Sequence, residues 1–392
     1  MFELHVVQAM FGDSFLLVYG QPDRPRYMLI DGGPATVYAN HLQPVLAGIA
    51  ASGETIPWPR REEGFAETAA SGGHLDRVVL THTDDDHVTG LVDFFADQRS
   101  RQIQNQPFLL AVDGMWMNSF AFDAAVAPNM ANIVIPLPPP SNVAAEGADP
   151  SLPLPAFGVA EGMDLRQLLA QLSIPLNSGF PNDLVSLETA PDSVTLGDLH
   201  VTMVGPTKSN LDRMGRDWRD WLQKHTVPEG VAAAPDLSKG VAPDQSIPNR
   251  SSIMFVAEYG GRTVLLTGDG RGSDLVRGLV RRGLMATDGV FHVDVLKVPH
   301  HGSARNVSRK FFSQVTADTY IFSADGTNGN PDLPTLGWLV TALKEQRRSA
   351  RLVATNPTPT LDDLVREFPR ALYGYELEIM GKGDHFLPIS LN

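Results

Sequence analysis

Residues 75–87 read L-D-R-V-V-L-T-H-T-D-D-D-H. An apolar strand, Leu75–Leu80, runs into His82-Thr83-Asp84-Asp85-Asp86-His87, where five of six residues are His or Asp. Three carboxylates this close repel one another and resist ionisation unless a cation neutralises them. Imidazole and carboxylate are ligands for zinc, iron and manganese. The ordinary alternative is a solvated acidic turn before a helix, since carboxylates favour a helix N-terminus. Histidines on both sides weigh against it. The spacing of Leu91, Phe94 and Phe95 then predicts a helix over Gly90–Asp97.

Upstream, Glu3–Gln8, Ser14–Tyr19 and Tyr27–Ile30 read as strands, the last ending in Asp31-Gly32-Gly33, a tight turn. Downstream, Ser252–Tyr259, the Gly260-Gly261 turn and Thr263–Leu266 form a hairpin that ends in Thr267-Gly268-Asp269-Gly270. Helices over Ser273–Arg282, Val307–Gln314 and Leu336–Gln346 alternate with strands over Val293–Val298, Thr319–Phe322, Arg351–Ala354 and Tyr373–Ile379. Mixed hairpins and crossovers in both halves predict an α/β (α+β) sandwich of two related halves, not a doubly wound parallel sheet. One unit spans 1–392, with two Pro-rich insertions at about 126–165 and 205–248.

Composition narrows the chemistry. There is no cysteine, hence no disulfide framework, thiolate nucleophile or Cys zinc site. No apolar run is long enough to span a membrane, and no signal-peptide pattern opens the chain, so the expectation is a cytoplasmic protein. The 31 basic residues against 45 acidic give a net charge of −14, which makes extended duplex DNA a poor partner.

The His82–His87 pattern, H-x-D-x-D-H, resembles the metal-binding signature of the metallo-β-lactamase superfamily, commonly H-x-H-x-D-H. The Asp at 84 is similar to the hydrolase domain of ComEC-type competence proteins and to phosphorylcholine esterases. Gly12–Leu17 (G-D-S-F-L-L), Leu29–Gly33 (L-I-D-G-G), Asn249–Ile253 (N-R-S-S-I), Leu265–Gly270 (L-L-T-G-D-G) and Leu296–Ser303 (L-K-V-P-H-H-G-S) resemble that family's other motifs, in order. The resemblance implies a four-layer αββα sandwich with a metal site on one edge between the halves. It implies His82 and Asp84 on a first metal, Asp86 and His87 on a second, and Asp269 bridging both. Asp31 would orient the metal-binding loop. Of His300 and His301 one is the last imidazole; the order is open in the sequence, with His301 favoured as ligand and His300 as an outer group or proton donor. The family's middle histidine has no counterpart in Val201–Pro206, and ComEC-like G-H-P is here Gly329-Asn330-Pro331. Both changes leave the first metal short of protein ligands.

The implied cofactor is a pair of divalent metals, zinc first, with manganese or iron as alternatives. The implied function is a metallo-hydrolase, a phosphodiesterase foremost, acting through metal-bound hydroxide, with Asp86 and His300 as catalytic groups. Lys297 and Asn330 are candidate substrate contacts; for Lys297 a solvated charge is the bland alternative. The expected substrate is a small-molecule or nucleotide-type phosphoester, with room for a protein partner at the insertions. Two rivals share the scaffold: a lactone or other carboxylic-ester hydrolase, and a metal-binding, non-enzymatic module of a multi-protein defence or toxin system.

Overall fold

The computed structural model describes residues 1–52, 73–118, 159–215 and 247–392, with the paired segments Ile56–Pro57 and Ala69–Ala70. Most of both Pro-rich insertions, together with Trp218, Trp221 and His225, lies outside the described residues.

Fourteen strands are used below. They are β1 (Phe2–Val7), β2 (Phe15–Gln21), β3 (Arg24–Ile30), β4 (Arg77–Val79), β5 (Met115–Trp116), β6 (Val194–Leu196) and β7 (Leu199–Gly205). The rest are β8 (Met254–Tyr259), β9 (Arg262–Leu266), β10 (Phe291–Lys297), β11 (Val315–Phe322), β12 (Ala350–Ala354), β13 (Tyr375–Ile379) and β14 (Phe386–Ser390). The helices used below are α1 (Gln43–Ser52), α2 (Asp85–Ile103), α3 (Val159–Leu172), α4 (Gly272–Arg281), α5 (Leu333–Gln346) and α6 (Pro359–Glu367). One sheet runs β14-β1-β2-β3-β4-β5, the other β6-β7-β8-β9-β10-β11-β12-β13.

Period-two alternation sorts each central strand between two cores. In β2, Phe15, Leu17 and Tyr19 face the other sheet, where they meet Phe255, Val264, Leu266, Val295 and Ile321. Leu16 and Val18 face the opposite way, toward Leu46, Leu91, Phe94 and Leu169 of the first helical layer. Leu265, Leu296, Tyr320 and Leu352 of the second sheet likewise pack on Leu275, Leu336, Leu339 and Leu364. The result is helices, sheet, sheet, helices: the αββα sandwich expected. Both glycines of the β8–β9 hairpin have positive φ, the conformation a two-residue turn demands.

Two elements differ from expectation. The helix α3 begins at Val159, ahead of the short helix the sequence suggests over Asp164–Leu172, and packs with α2. The sequence reading also ends its strands at Ile379, whereas β14 returns the chain to the first sheet, antiparallel to β1. Among the described residues no helix is long and apolar enough to cross a membrane.

The parallel strands set the site's position. β3, β4 and β5 are mutually parallel, as are β9 through β13. Asp31 and His82 follow the carboxyl ends of β3 and β4, and Asp269 and His301 those of β9 and β10. Ligand sites of α/β sheets lie at such ends.

At the opposite end of β3 and β4, buried Asp76 accepts from the Tyr19 hydroxyl and from Arg26 Nε at 2.6 Å, and His74 Nε2 lies 2.8 Å away. Because Arg26 already neutralises Asp76, the trio His74, Asp76 and Asp113 is an ion-pair network rather than a cation site. The hydrogen bond to Asp76 raises the His74 pKa against the opposing effect of burial. A raised imidazole pKa adds stability that is complete below the unfolded value of 6.5 and is lost as pH rises through the folded value. The melting temperature of the parent should therefore exceed that of His74→Asn more at about pH 5.5 than at about pH 8.5. A gap that does not narrow with pH would contradict this assignment.

Candidate metal centre

The helix α2 carries the acidic cluster for a local reason. Asp84 is its N-cap residue, yet makes no side-chain cap, and Asp85 and Asp86 fill the first turn. Their charges suit the helix terminus, and the Asp84 carboxylate stays available to face His82. The turn docks by glycine contacts. Gly32 N donates to His87 O at 2.8 Å and Gly90 N to Gly33 O at 2.9 Å. A Cβ on Gly90 would overlap the Gly32 carbonyl oxygen. Gly90→Ala should push α2 off the turn, at a cost of about 3 kcal/mol, with reduced metal uptake. A denaturation midpoint equal to the parent's would show that the helix has room to give.

Asp31 sits beneath the cluster, fully buried, with φ 56°. Its carboxylate accepts from Thr81 N and Thr81 Oγ1, each at 2.7 Å, and from His87 Nδ1 at 2.9 Å. Four imidazoles are oriented in this manner, through an acceptor at Nδ1. His87 faces Asp31. His82 Nδ1 is 3.1 Å from Thr81 Oγ1, whose own proton goes to Asp31. His301 Nδ1 donates to Ser323 O at 2.8 Å. His300 Nδ1 donates to Asn306 Oδ1 at 2.8 Å, and the Asn306 amide is pinned because its Nδ2 donates to Asp269 O. Acceptors at Nδ1 fix the proton there and leave each Nε2 lone pair for the cluster.

Those Nε2 atoms converge. His87 Nε2 is 3.4 Å from Asp269 Oδ1 and 3.8 Å from Asp86 Oδ1. His301 Nε2 is 3.2 Å from Asp86 Oδ2 and 3.4 Å from Asp269 Oδ2. His82 Nε2 is 3.5 Å from Asp84 Oδ2 and 4.0 Å from Asp269 Oδ2. His300 Nε2 reaches the same Asp269 Oδ2 at 3.4 Å. The Nε2 atoms of His82, His87 and His301 are buried with no hydrogen-bond partner. Such atoms are costly to bury unsatisfied. Bonds of about 2.1 Å to a tetrahedral cation put neighbouring ligands about 3.4 Å apart, which is the spacing seen. The residues therefore fit a divalent cation better than they fit one another. Asp86, His87, Asp269 and His301 form one compact set.

Access is from one side. Asp84, Asp86 and His300 are 31%, 20% and 25% exposed, while His82, His87, Asp269 and His301 are buried. The carboxyl of Asp85 is pushed up to about 7 by burial and by Glu161, Asp84 and Asp86. Burial works against ionising Asp269, yet His301, His300, His87 and Lys297 hold it well below the usual carboxylate range.

One expectation is corrected. Lys297 is neither a substrate contact nor a solvated charge. It is completely buried, its Nζ bound by the Asp13 carboxylate and donating to Gly268 O at 2.8 Å. The β10 end is covered by the first half of the sandwich, which seals it from solvent. His300 lies beside the compact set of Asp86, His87, Asp269 and His301, a quarter exposed, with Nε2 3.4 Å from Asp269 Oδ2. Asn330 is half-buried in the turn packed on the histidine loop: Asp332 N donates to Gly302 O at 3.1 Å. His200 is exposed on β7, Nδ1 3.4 Å from Thr195 Oγ1, and takes no part. Trp116 is a core residue, edge-on to Phe180. Sequence reading missed Asp13 as a site residue; its one signal was the G-D-S motif.

No family model matches the chain. It is 34% identical over 125 residues to ComE operon protein 3 of Bacillus subtilis (strain 168), covering 31% of this chain and 14% of that protein. The match thus spans a small part of the relative's length. Among solved structures it resembles CmlA, a diiron beta-hydroxylase from Streptomyces venezuelae, with TM-score 0.39, 11% identity and coverage of 89% of this chain and 52% of that one. It also resembles a protein of Parabacteroides distasonis ATCC 8503 assigned as a metal-dependent hydrolase, with TM-score 0.31, 10% identity and coverage of 87% and 93%. Both scores are too low to bear on function.

Proposed function

We propose that the chain is a metal-dependent hydrolase of phosphate esters, diesters foremost. His82, Asp84 and His300 would hold one divalent cation and Asp86, His87 and His301 the other, with Asp269 between them. The observation that carries this reading is the set of buried, unpartnered Nε2 atoms aimed at shared carboxylates. His300 supplies the imidazole that the missing middle histidine leaves out.

Bound there, two divalent cations supply Lewis acidity and positive charge where an in-line displacement builds up negative charge. The chain's residues do the rest. Asp31, Ser323, Thr81 and Asn306 hold the imidazoles in one tautomer. Asp86, ligand on one side and partly exposed on the other, takes the proton of the attacking water. The buried walls around His82 and His87 keep bulk water to the open side. The choice of phosphoester over lactone rests on the likeness of H-x-D-x-D-H to phosphoesterase subgroups. A small-molecule or nucleotide-type diester suits the acidic chain better than a long duplex.

Elemental analysis of protein purified without chelator should give about two equivalents of divalent metal. The same protein should hydrolyse an activated aryl phosphodiester, lose that activity to a chelator and regain it with zinc or manganese. Lactone turnover with silence on phosphodiesters would overturn the substrate class. Two metals with no turnover across an ester panel would overturn the enzyme reading in favour of a binding module.

A further inference from the structure

Behind the candidate ligands lies a buried ion pair. Lys297 closes β10, and its Nζ touches the Asp13 carboxylate, Gly268 O at 2.8 Å and Asp269 Oδ1 at 3.4 Å. Asp13 Oδ1 is 3.3 Å from His301 Nδ1, and Oδ2 is 3.9 Å from His87 Nδ1. Asp13 N donates to Asp86 O at 3.1 Å. Asp13 and Lys297 are both fully buried. The pair therefore touches all four members of the Asp86, His87, Asp269 and His301 set. No contact of the pair with His82 or Asp84 is present among the described residues.

Stability alone does not account for the pair. Exchanging a buried ion pair for apolar groups of like volume is often neutral or favourable. What an apolar pair could not do is hold Asp269 Oδ1 by a fixed cation while presenting a carboxylate to the Nδ1 proton of His301.

The geometry points to the Asp13–Lys297 pair as a positioning device for one of the two metals, the one held by Asp86, His87, Asp269 and His301. This rests on the dinuclear reading above. Lys297 sets the rotamer of the bridging carboxylate, and Asp13 joins Ser323 O at the His301 Nδ1 proton, reinforcing the tautomer that leaves the lone pair on the cluster. The other metal, at His82, Asp84 and His300, shares only Asp269 with the pair.

The test is zinc competition against a chromophoric chelator, with thermal melting of the metal-free proteins alongside. Asp13→Asn/Lys297→Met removes one charge of each sign, so the net charge around the cations is unchanged and a change confined to one site reports positioning. The double variant should melt within a few degrees of the parent. One zinc site should keep its affinity, and the other should weaken by about 10–100-fold, the usual effect of losing an outer-shell partner. Two sites with parental affinity would overturn the inference. So would equal weakening of both. If the double variant does not fold, Asp13→Asn alone is read by which of the two sites weakens, since it leaves Lys297 on Gly268 and Asp269; a parental second site there is equally fatal. A parent that takes up no zinc removes the metal reading, and this inference with it.

Discussion

Asp269→Ala is expected to take metal content from about two equivalents to one or none and to lower phosphodiester turnover by about a thousandfold or more, the several kcal/mol that cation catalysis supplies. Among the described residues, Asp269 is the one carboxylate within 4.0 Å of all four imidazoles of the cluster. Removing it unties both cation positions at once. It also strips Lys297 of one of its two carboxylates. Elemental analysis and a rate assay on the same preparation check both halves. Full activity in this variant would sink the proposed mechanism.

Asp31→Ala should be the most damaging change outside the ligands. It leaves Thr81 N and His87 Nδ1 buried without an acceptor, and it puts alanine at φ 56°, where a Cβ is strained. The expected loss is about 3–5 kcal/mol of folding stability. Metal affinity should fall by about 10–100-fold, because His87 can then place its proton on either nitrogen. Asp31→Asn separates the two effects, since asparagine tolerates the left-handed backbone. It should recover part of the melting temperature and little of the affinity. Parental metal affinity in both variants would show that Asp31 does not orient His87.

That these residues gather in one place was legible because they are close in sequence or sit in short polar motifs at strand ends. His82, Asp84, Asp86 and His87 span six residues, and a charged cluster that follows an apolar strand is hard to place anywhere but a rim. The outer residues were not legible. A lysine at the end of a strand looks solvated until the opposite layer of the sandwich is known to cover it. Asp13 looked like ordinary turn chemistry because its partner, Lys297, comes from the other half of the chain. The role of His300 depends on Asn306, six residues on, and no pattern of residue types encodes a tautomer. β14 was missed for a local reason. Pro388 breaks the strand signal, and only the edge position that β14 holds beside β1 makes it tolerable.

That last strand has a consequence for how the molecule is made. β1 is paired on one side by β2, which follows it at once, and on the other by β14, near residue 390. The first half can therefore collapse early but cannot finish its sheet until residue 390 has left the ribosome. The buried polar cluster obeys the same schedule, since His87 waits for Asp269 and Asp13 for Lys297. Contacts of such long range are slow to close. The nascent first half must carry its buried carboxylates without their countercharge, and metal capture should come late, as one of the last events of folding.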